Sequence, residues 1–159
     1  MGAVSDYLEQ SEHSHSAELV NLSEDQKEAL LEVIGLAVYA DGVAAVEELE
    51  LMLDLVREIP AFAHYTEHQL DGLLNRALDR LRDITNPDTA DSEYTSLSNR
   101  LNSGALREAA FGLAAVICLA DGIVVHPERD VLKRLILAFG IDKARVVEIV
   151  QEARAFVVE

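Results

Sequence analysis

The chain has 159 residues, a length that suits one domain with a buried core. Half of the residues are hydrophobic and about a quarter are charged, which excludes a disordered chain. The formal net charge of −16 repels phosphate backbones and anionic lipid surfaces, so we expect no nucleic-acid partner. An acidic surface of this kind also keeps a cytosolic protein soluble without any further role.

The cysteine content and the N-terminal sequence predict a cytoplasmic protein. Cys118 is the single cysteine, so no disulfide forms within the chain, and its apolar surroundings are typical of a core residue. The N-terminus lacks the basic and apolar regions of a signal peptide. The longest apolar run, residues 109–120, is too short to span a bilayer, so we expect no membrane insertion.

The first 22 residues are polar and show no regular hydrophobic pattern. We predict a disordered tail over residues 1–22, followed by one helical domain over residues 23–159. His13 and His15 alternate with serines and can recruit a metal ion, but a disordered tail is the simpler interpretation of this segment.

The first predicted helix begins at a capping box, in which Ser23 is the N-cap and Gln26 reaches back to it. Residues 29–40 are apolar almost throughout, a pattern typical of a helix at the centre of a bundle. Asp41-Gly42 ends this helix, because glycine readily adopts the left-handed conformation of a C-terminal cap.

Two further helices are predicted in the first half. One runs from about residue 46 to 59, where Pro60 prevents its extension. The other begins at a capping box of Thr66 and Gln69 and continues with leucines and alanines at a spacing of three and four. A polar loop follows over residues 86–103, and its second half can form a short helix.

The second half repeats this pattern. A nearly all-apolar helix is predicted over residues 105–119, and an Asp-Gly pair again follows it. We expect this helix to pack against the first apolar helix and both to be the most buried elements. Another helix is predicted over residues 127–139 with Gly140 as its cap, and a last one over residues 143–157.

The two halves align without a gap at an offset of 80 residues. Identical residues then fall together, namely Ala40, Asp41, Gly42 and Glu48 on Ala120, Asp121, Gly122 and Glu128. Such a match is hard to obtain by accident. The sequence therefore predicts an all-α fold, a bundle of six to seven helices with an internal pseudo-twofold repeat.

Each copy of the motif places an aspartate at the end of an apolar helix, where unpaired carbonyls make a carboxylate unfavourable by itself. Amide donors of the following turn, the N-terminus of the next helix or a bound cation can offset this cost. If the two segments meet, they form a site for calcium or magnesium. The candidate ligands of that site are Asp41, Glu48, Asp121 and Glu128.

A purely structural alternative exists for the same residues. Each Asp-Gly then makes a tight turn, and each glutamate lies in the first turn of the next helix, where a carboxylate is favoured in any case. The EF-hand is excluded, because Ala37 and Ile117 would occupy the first ligand position of its loop. The sequence alone leaves the turn and the cation site both open.

At these residues the chain resembles the TerB-like family, which includes tellurite-resistance proteins and N-terminal regions of membrane-anchored J-domain cochaperones. The segments that carry the resemblance are 39–48, YADGVAAVEE, and 119–128, LADGIVVHPE. The resemblance implies an all-helical bundle, a role in bacterial stress or tellurite response, and a metal site at the four acidic positions. It also implies partners among other stress-response or tellurite-resistance proteins, some of them membrane-associated.

No other motif indicates an enzyme or a second metal site. His64 and His68 have a spacing that can bind zinc on one helix, but the Thr66 cap separates them, so we interpret both as surface histidines. No catalytic arrangement of Ser, His, Asp or Cys and no phosphate-binding glycine loop is recognisable. We therefore expect a non-enzymatic stress protein with a cation site, or a helical interaction module that docks a basic or membrane-associated partner.

Overall fold

The computed structural model describes residues 3–11, 15–39, 46–119 and 126–157. Within these ranges the chain forms α-helices and two single-turn 3₁₀ helices and contains no strand, so the predicted all-α fold is confirmed. The α-helices are α1 Ala3–Gln10, α2 Glu24–Val38, α3 Val46–Arg57, α4 Glu67–Thr85, α5 Ala90–Arg100, α6 Gly104–Leu119, α7 His126–Phe139 and α8 Lys143–Val157. The 3₁₀ helices span Ser16–Leu19 and Pro60–Phe62.

The helix ends follow the local signals of the sequence. Both predicted capping boxes are present: Ser23 Oγ accepts a bond from the Gln26 amide, whose side chain accepts one from the Ser23 amide. The α4 box has the same two bonds. Gly140 ends α7 with a φ of 65°, and the amide of Ile141 donates to the Ile136 carbonyl at 3.2 Å. This is a Schellman motif, which confirms the predicted glycine cap.

The core is built on α2 and α6, which pack against each other. Residues 29–37 of α2 and residues 109–116 of α6 are buried without interruption. This confirms that the two apolar helices are central. In addition, α4 packs on α2 and α8 packs on α6. Among the described helices, none has the length and apolar character needed to cross a membrane.

The two central helices run in the same direction. Gln26, in the first turn of α2, donates a hydrogen bond to Asn102, two residues before α6 begins, so both helices start at one end of the bundle. Because they also pack along each other, their last residues, Val38 and Leu119, lie toward the opposite end.

The N-terminal segment differs from the predicted disordered tail. Residues 3–10 form α1, and Tyr7 and Leu8 are buried against the bundle. The Tyr7 ring lies edge-on to Phe156 of α8, with 5.9 Å between the ring centroids. A few apolar side chains are enough to hold a short helix against a complementary surface. In the sequence, so few residues form only a weak hydrophobic pattern. Residues 3–10 therefore belong to the packed part of the described chain, together with the helices that begin at residue 24.

The polar segment before α6 also contains more structure than a loop with a short helix. Its central part is the three-turn helix α5, which buries Ala90, Tyr94 and Leu97. These residues recur at a spacing of four and three, a helical pattern that the surrounding serines, threonines and acids obscure. The exposed face of α5 carries Asp91, Ser92, Thr95 and Asn99.

Candidate functional site

Each of the two predicted cation-binding segments connects a central helix to the helix that follows it. The first segment comes after α2 ends at Val38, and α3 begins at Val46. The second comes after α6 ends at Leu119, and α7 begins at His126. Since α2 and α6 run in the same direction, the helix ends that precede both segments lie toward the same end of the bundle.

The carboxylates of the predicted site are only partly within the described structure. Asp41 and Asp121 lie outside the described residues. Glu48 and Glu128 belong to the first turns of α3 and α7, as the sequence predicts, but their side chains are also outside the description. In the part of the chain that the structure describes, no three His, Cys, Asp or Glu residues form a group that could hold a metal. The shared cation site and the capping turn both stay predictions.

The described histidines do not form a metal site of their own. His64 and His68 are exposed and lie on opposite sides of the Thr66 cap, which agrees with their interpretation as surface residues. His15 is partly buried, and its Nε2 lies 2.9 Å from Glu108 Oε1. Its neighbour in the predicted tail, His13, lies outside the described residues.

A buried ion pair between α2 and α5 is the strongest polar feature of the described core. Glu32 is 1 % exposed. Arg100 donates two hydrogen bonds to its carboxylate, at 2.8 and 2.7 Å. These bonds raise the pKa of Arg100, because the neighbouring carboxylate favours the charged guanidinium. The bidentate geometry is the arrangement in which an Arg–carboxylate pair is strongest.

A second arginine extends this pair into a network of three helices. Arg80 of α4 has its Nε 3.8 Å from Glu32 Oε1, and its guanidinium also donates to Glu93 of α5. Two carboxylates therefore face two guanidinium groups, so the charge of the network is balanced. Such a charge-balanced network holds the three helices together, although the Nε of Arg100 is buried without a hydrogen-bond partner in the part of the chain that the structure describes.

In the sequence, Glu32 is one of the few non-apolar residues within the apolar stretch 29–40. A lone acid within such a stretch predicts a buried partner of opposite charge, because an unpaired buried carboxylate is costly. The partner itself could not be identified from spacing, since Arg100 is 68 residues away.

Another group of charges lines a cavity of about 470 Å³ at the beginnings of α6 and α8. Glu108 is the central residue of this group, because it contacts His15 and also lies 3.2 Å from the Nε of Arg145. The Arg107 side chain donates to the carbonyls of Ser98 and Leu101 at the end of α5. Both arginines are thus engaged with protein acceptors, and we see no convergent set of free polar groups in this cavity.

No protein-family model, curated protein or solved structure matches this chain. The resemblance to the TerB-like family therefore stays a prediction that depends on the two motif segments.

Proposed function

We propose that this chain is a non-enzymatic stress-response protein of the tellurite-resistance type, in which the two Asp-Gly segments together bind a divalent cation. Calcium and magnesium are the expected ions, because the candidate ligands are carboxylate and carbonyl oxygens. The observation that carries the proposal is the course of the two central helices. They run in the same direction, and each is followed by one copy of the acidic motif.

This arrangement concentrates negative charge. The C-terminal end of a helix carries about half a negative elementary charge, and two parallel helices contribute two such ends. The motif adds Asp41, Glu48, Asp121 and Glu128 to a chain whose net charge is already −16. A divalent cation offsets this repulsion directly, and by linkage its binding stabilises the folded state.

The residues at which the flanking helices begin support the view that the two Asp-Gly segments are equivalent. α2 begins at residue 24 and α6 at residue 104, and α3 begins at residue 46 and α7 at residue 126. In both pairs the first residues of the two helices are 80 positions apart, which is the offset at which the motifs align in the sequence.

Thermal melts with and without calcium or magnesium test the proposal. The informative variant is Asp41→Asn with Asp121→Asn, which removes one carboxylate from each segment. Its matched control is Asp71→Asn with Asp79→Asn, which changes the net charge equally at two exposed positions of α4. We expect the cation to raise the melting temperature of the wild type and of the control, and to leave the motif variant almost unchanged.

An equal response of all three proteins would show that the ion only screens surface charge. In that case the second candidate function, a helical interaction module for a basic or membrane-associated partner, becomes the better account. Its supporting observation is that residues 1–80 contain 17 of the 29 acidic residues and only four of the 13 basic ones. Salt-sensitive binding of a lysine-rich peptide to the cation-free protein would support it.

A further inference from the structure

We propose that the exposed face of α7 is a docking surface for an acidic segment of a partner protein that carries one large apolar side chain. This surface, which we term the α7 face, consists of Arg129, Lys133, Arg134 and Leu137. It is separate from the predicted cation ligands, and the proposal does not depend on cation binding.

Leu137 is the centre of the α7 face. It is 81 % exposed, more than the other exposed large hydrophobic residues among those described, Val20 and Val147. Lys133 and Arg129 precede it by four and eight residues and are also exposed, so the three side chains follow one ridge of the helix.

A groove of about 400 Å³ between α5 and α7 adjoins this leucine. Tyr94, Arg134, Leu137 and Ala138 are among the residues that line it. Arg134 lies over the Tyr94 ring, 5.5 Å from its centroid, and its Nη1 is 3.9 Å from an Asp91 oxygen. These contacts hold one wall of the groove in place. A large apolar side chain of a partner could enter the groove and cover the exposed leucine.

Helix α7 carries a net charge of the opposite sign to that of the whole chain. Residues 126–139 contain three basic residues and two acidic ones, a net charge of +1, and Asp91 of α5 also lines the groove. The residues outside α7 together carry −17. Arg129 and Lys133 have no ion-pair partner among the residues that the structure describes. An acidic segment is therefore attracted to this face and repelled by the remaining surface.

An anionic membrane is the other conceivable occupant of a basic face with an exposed leucine. A membrane presents an extended negative surface, which would also meet the strongly acidic remainder of the molecule. The groove, by contrast, is a local depression of about 400 Å³ between α5 and α7 rather than an extended surface. Shape and charge together favour an acidic protein segment.

Fluorescence anisotropy with the full chain tests this proposal. The probe is a labelled synthetic amphipathic helix with leucine on one face and glutamate on the other, and a second probe has lysine in place of glutamate. We expect the acidic probe to bind, and to bind more weakly as the salt concentration rises. We expect Arg129→Glu with Lys133→Glu to lower its affinity by about tenfold or more, and Leu137→Ser to lower it by about tenfold.

Matched controls separate the α7 face from general effects. Lys143→Glu with Arg154→Glu reverses two exposed charges on α8, and Val147→Ser replaces an exposed apolar residue there. Both controls should retain wild-type affinity for the acidic probe. Failure of the wild type to bind the acidic probe, equal weakening by the controls, or equal weakening of lysine-probe binding by Arg129→Glu with Lys133→Glu would overturn the proposal. Binding to phosphatidylserine vesicles, with no affinity for the acidic probe, would overturn it in favour of a membrane.

Discussion

At the scale of single residues, a close contact between Gly112 and Tyr7 joins α6 to α1. A Cβ atom on Gly112 would lie 2.0 Å from the Tyr7 hydroxyl oxygen and 2.8 Å from its ring carbon Cζ. Gly112 therefore provides the space that Tyr7 occupies, and this contact fixes the N-terminal helix on the bundle. Neither residue indicates the other in the sequence, because they are distant along the chain and each is common.

We predict that Gly112→Ala destabilises the protein by about 1–3 kcal/mol, the usual cost of overpacking a core. Gly72→Ala is the control, since a Cβ at this exposed position of α4 meets no atom within 4 Å. The control should stabilise the protein by about 0.5–1 kcal/mol, because alanine is the better helix former. Urea melts measure both changes. Equal stability of Gly112→Ala and the wild type would contradict the described position of Tyr7.

Burial of Tyr7 also predicts a loss of stability at alkaline pH. Burial raises its pKa to about 12, and it does the same for Tyr94. In the unfolded chain a tyrosine ionises near pH 10. The unfolded state therefore releases the proton first, and stability falls as the pH rises from about 10 to about 12.

The variant Tyr7→Phe cannot ionise at this position, so its stability should fall less steeply over the same pH range. Urea melts at pH values from about 9 to about 11 measure the two slopes. The absorbance of tyrosinate in the folded wild type provides an independent check, since Tyr7 and Tyr94 should ionise near pH 12. Identical slopes for the two proteins would show that Tyr7 is not buried.

At the scale of helices, one buried carboxylate links α2, α4 and α5 through Arg100 and Arg80. We predict that Glu32→Gln costs about 3–5 kcal/mol, because it leaves a partly buried guanidinium without its counter-charge. Arg57→Gln removes a partner of Asp54 and Glu67, whose side chains are largely exposed, and should cost less than about 1 kcal/mol. Denaturant melts compare the two, and similar costs would argue against a buried network.

The central helix pair carries a second prediction at this scale. Ile34 of α2 and Leu113 of α6 are fully buried or nearly so, at 1 % and 0 % exposure. Replacing either with alanine should cost about 2–5 kcal/mol, the range for emptying a well-packed core position. Val20→Ala, at an exposed position, should change stability by less than about 0.5 kcal/mol. Comparable effects at all three positions would contradict the central place of α2 and α6.

The helices show which features a sequence can predict. Capping boxes and the Gly140 cap depend on residues within one or two turns, so these ends were predicted correctly. The apolar character of α2 and α6 is equally local. By contrast, α1 is held by Gly112 and Phe156, and Glu32 by Arg100, all distant in sequence. Such long-range partners leave no periodic signal in the sequence. For this reason neither the packing of α1 nor the ion-pair network of Glu32 was predicted.

At the scale of the whole molecule, charge is distributed unevenly. Acidic residues predominate in the first half of the chain, whereas residues 126–145 are locally basic. Two parallel central helices add their negative ends to the acidic motif that follows each of them. The sequence predicted which residues form the candidate site. Whether their carboxylates meet depends on the geometry of the segments after α2 and α6, which local patterns do not determine.

Calorimetric titration of the full chain with calcium and with magnesium tests the cation site most directly. The wild type should bind one or both ions with a stoichiometry of one ion per chain for a shared site, or two for symmetric sites. With a shared site, Asp41→Asn and Asp121→Asn should each abolish binding, whereas with symmetric sites each should halve the stoichiometry. The control Asp71→Asn with Asp79→Asn should bind like the wild type. Absence of binding to the wild type, or unchanged binding when both motif aspartates are replaced, would contradict the account.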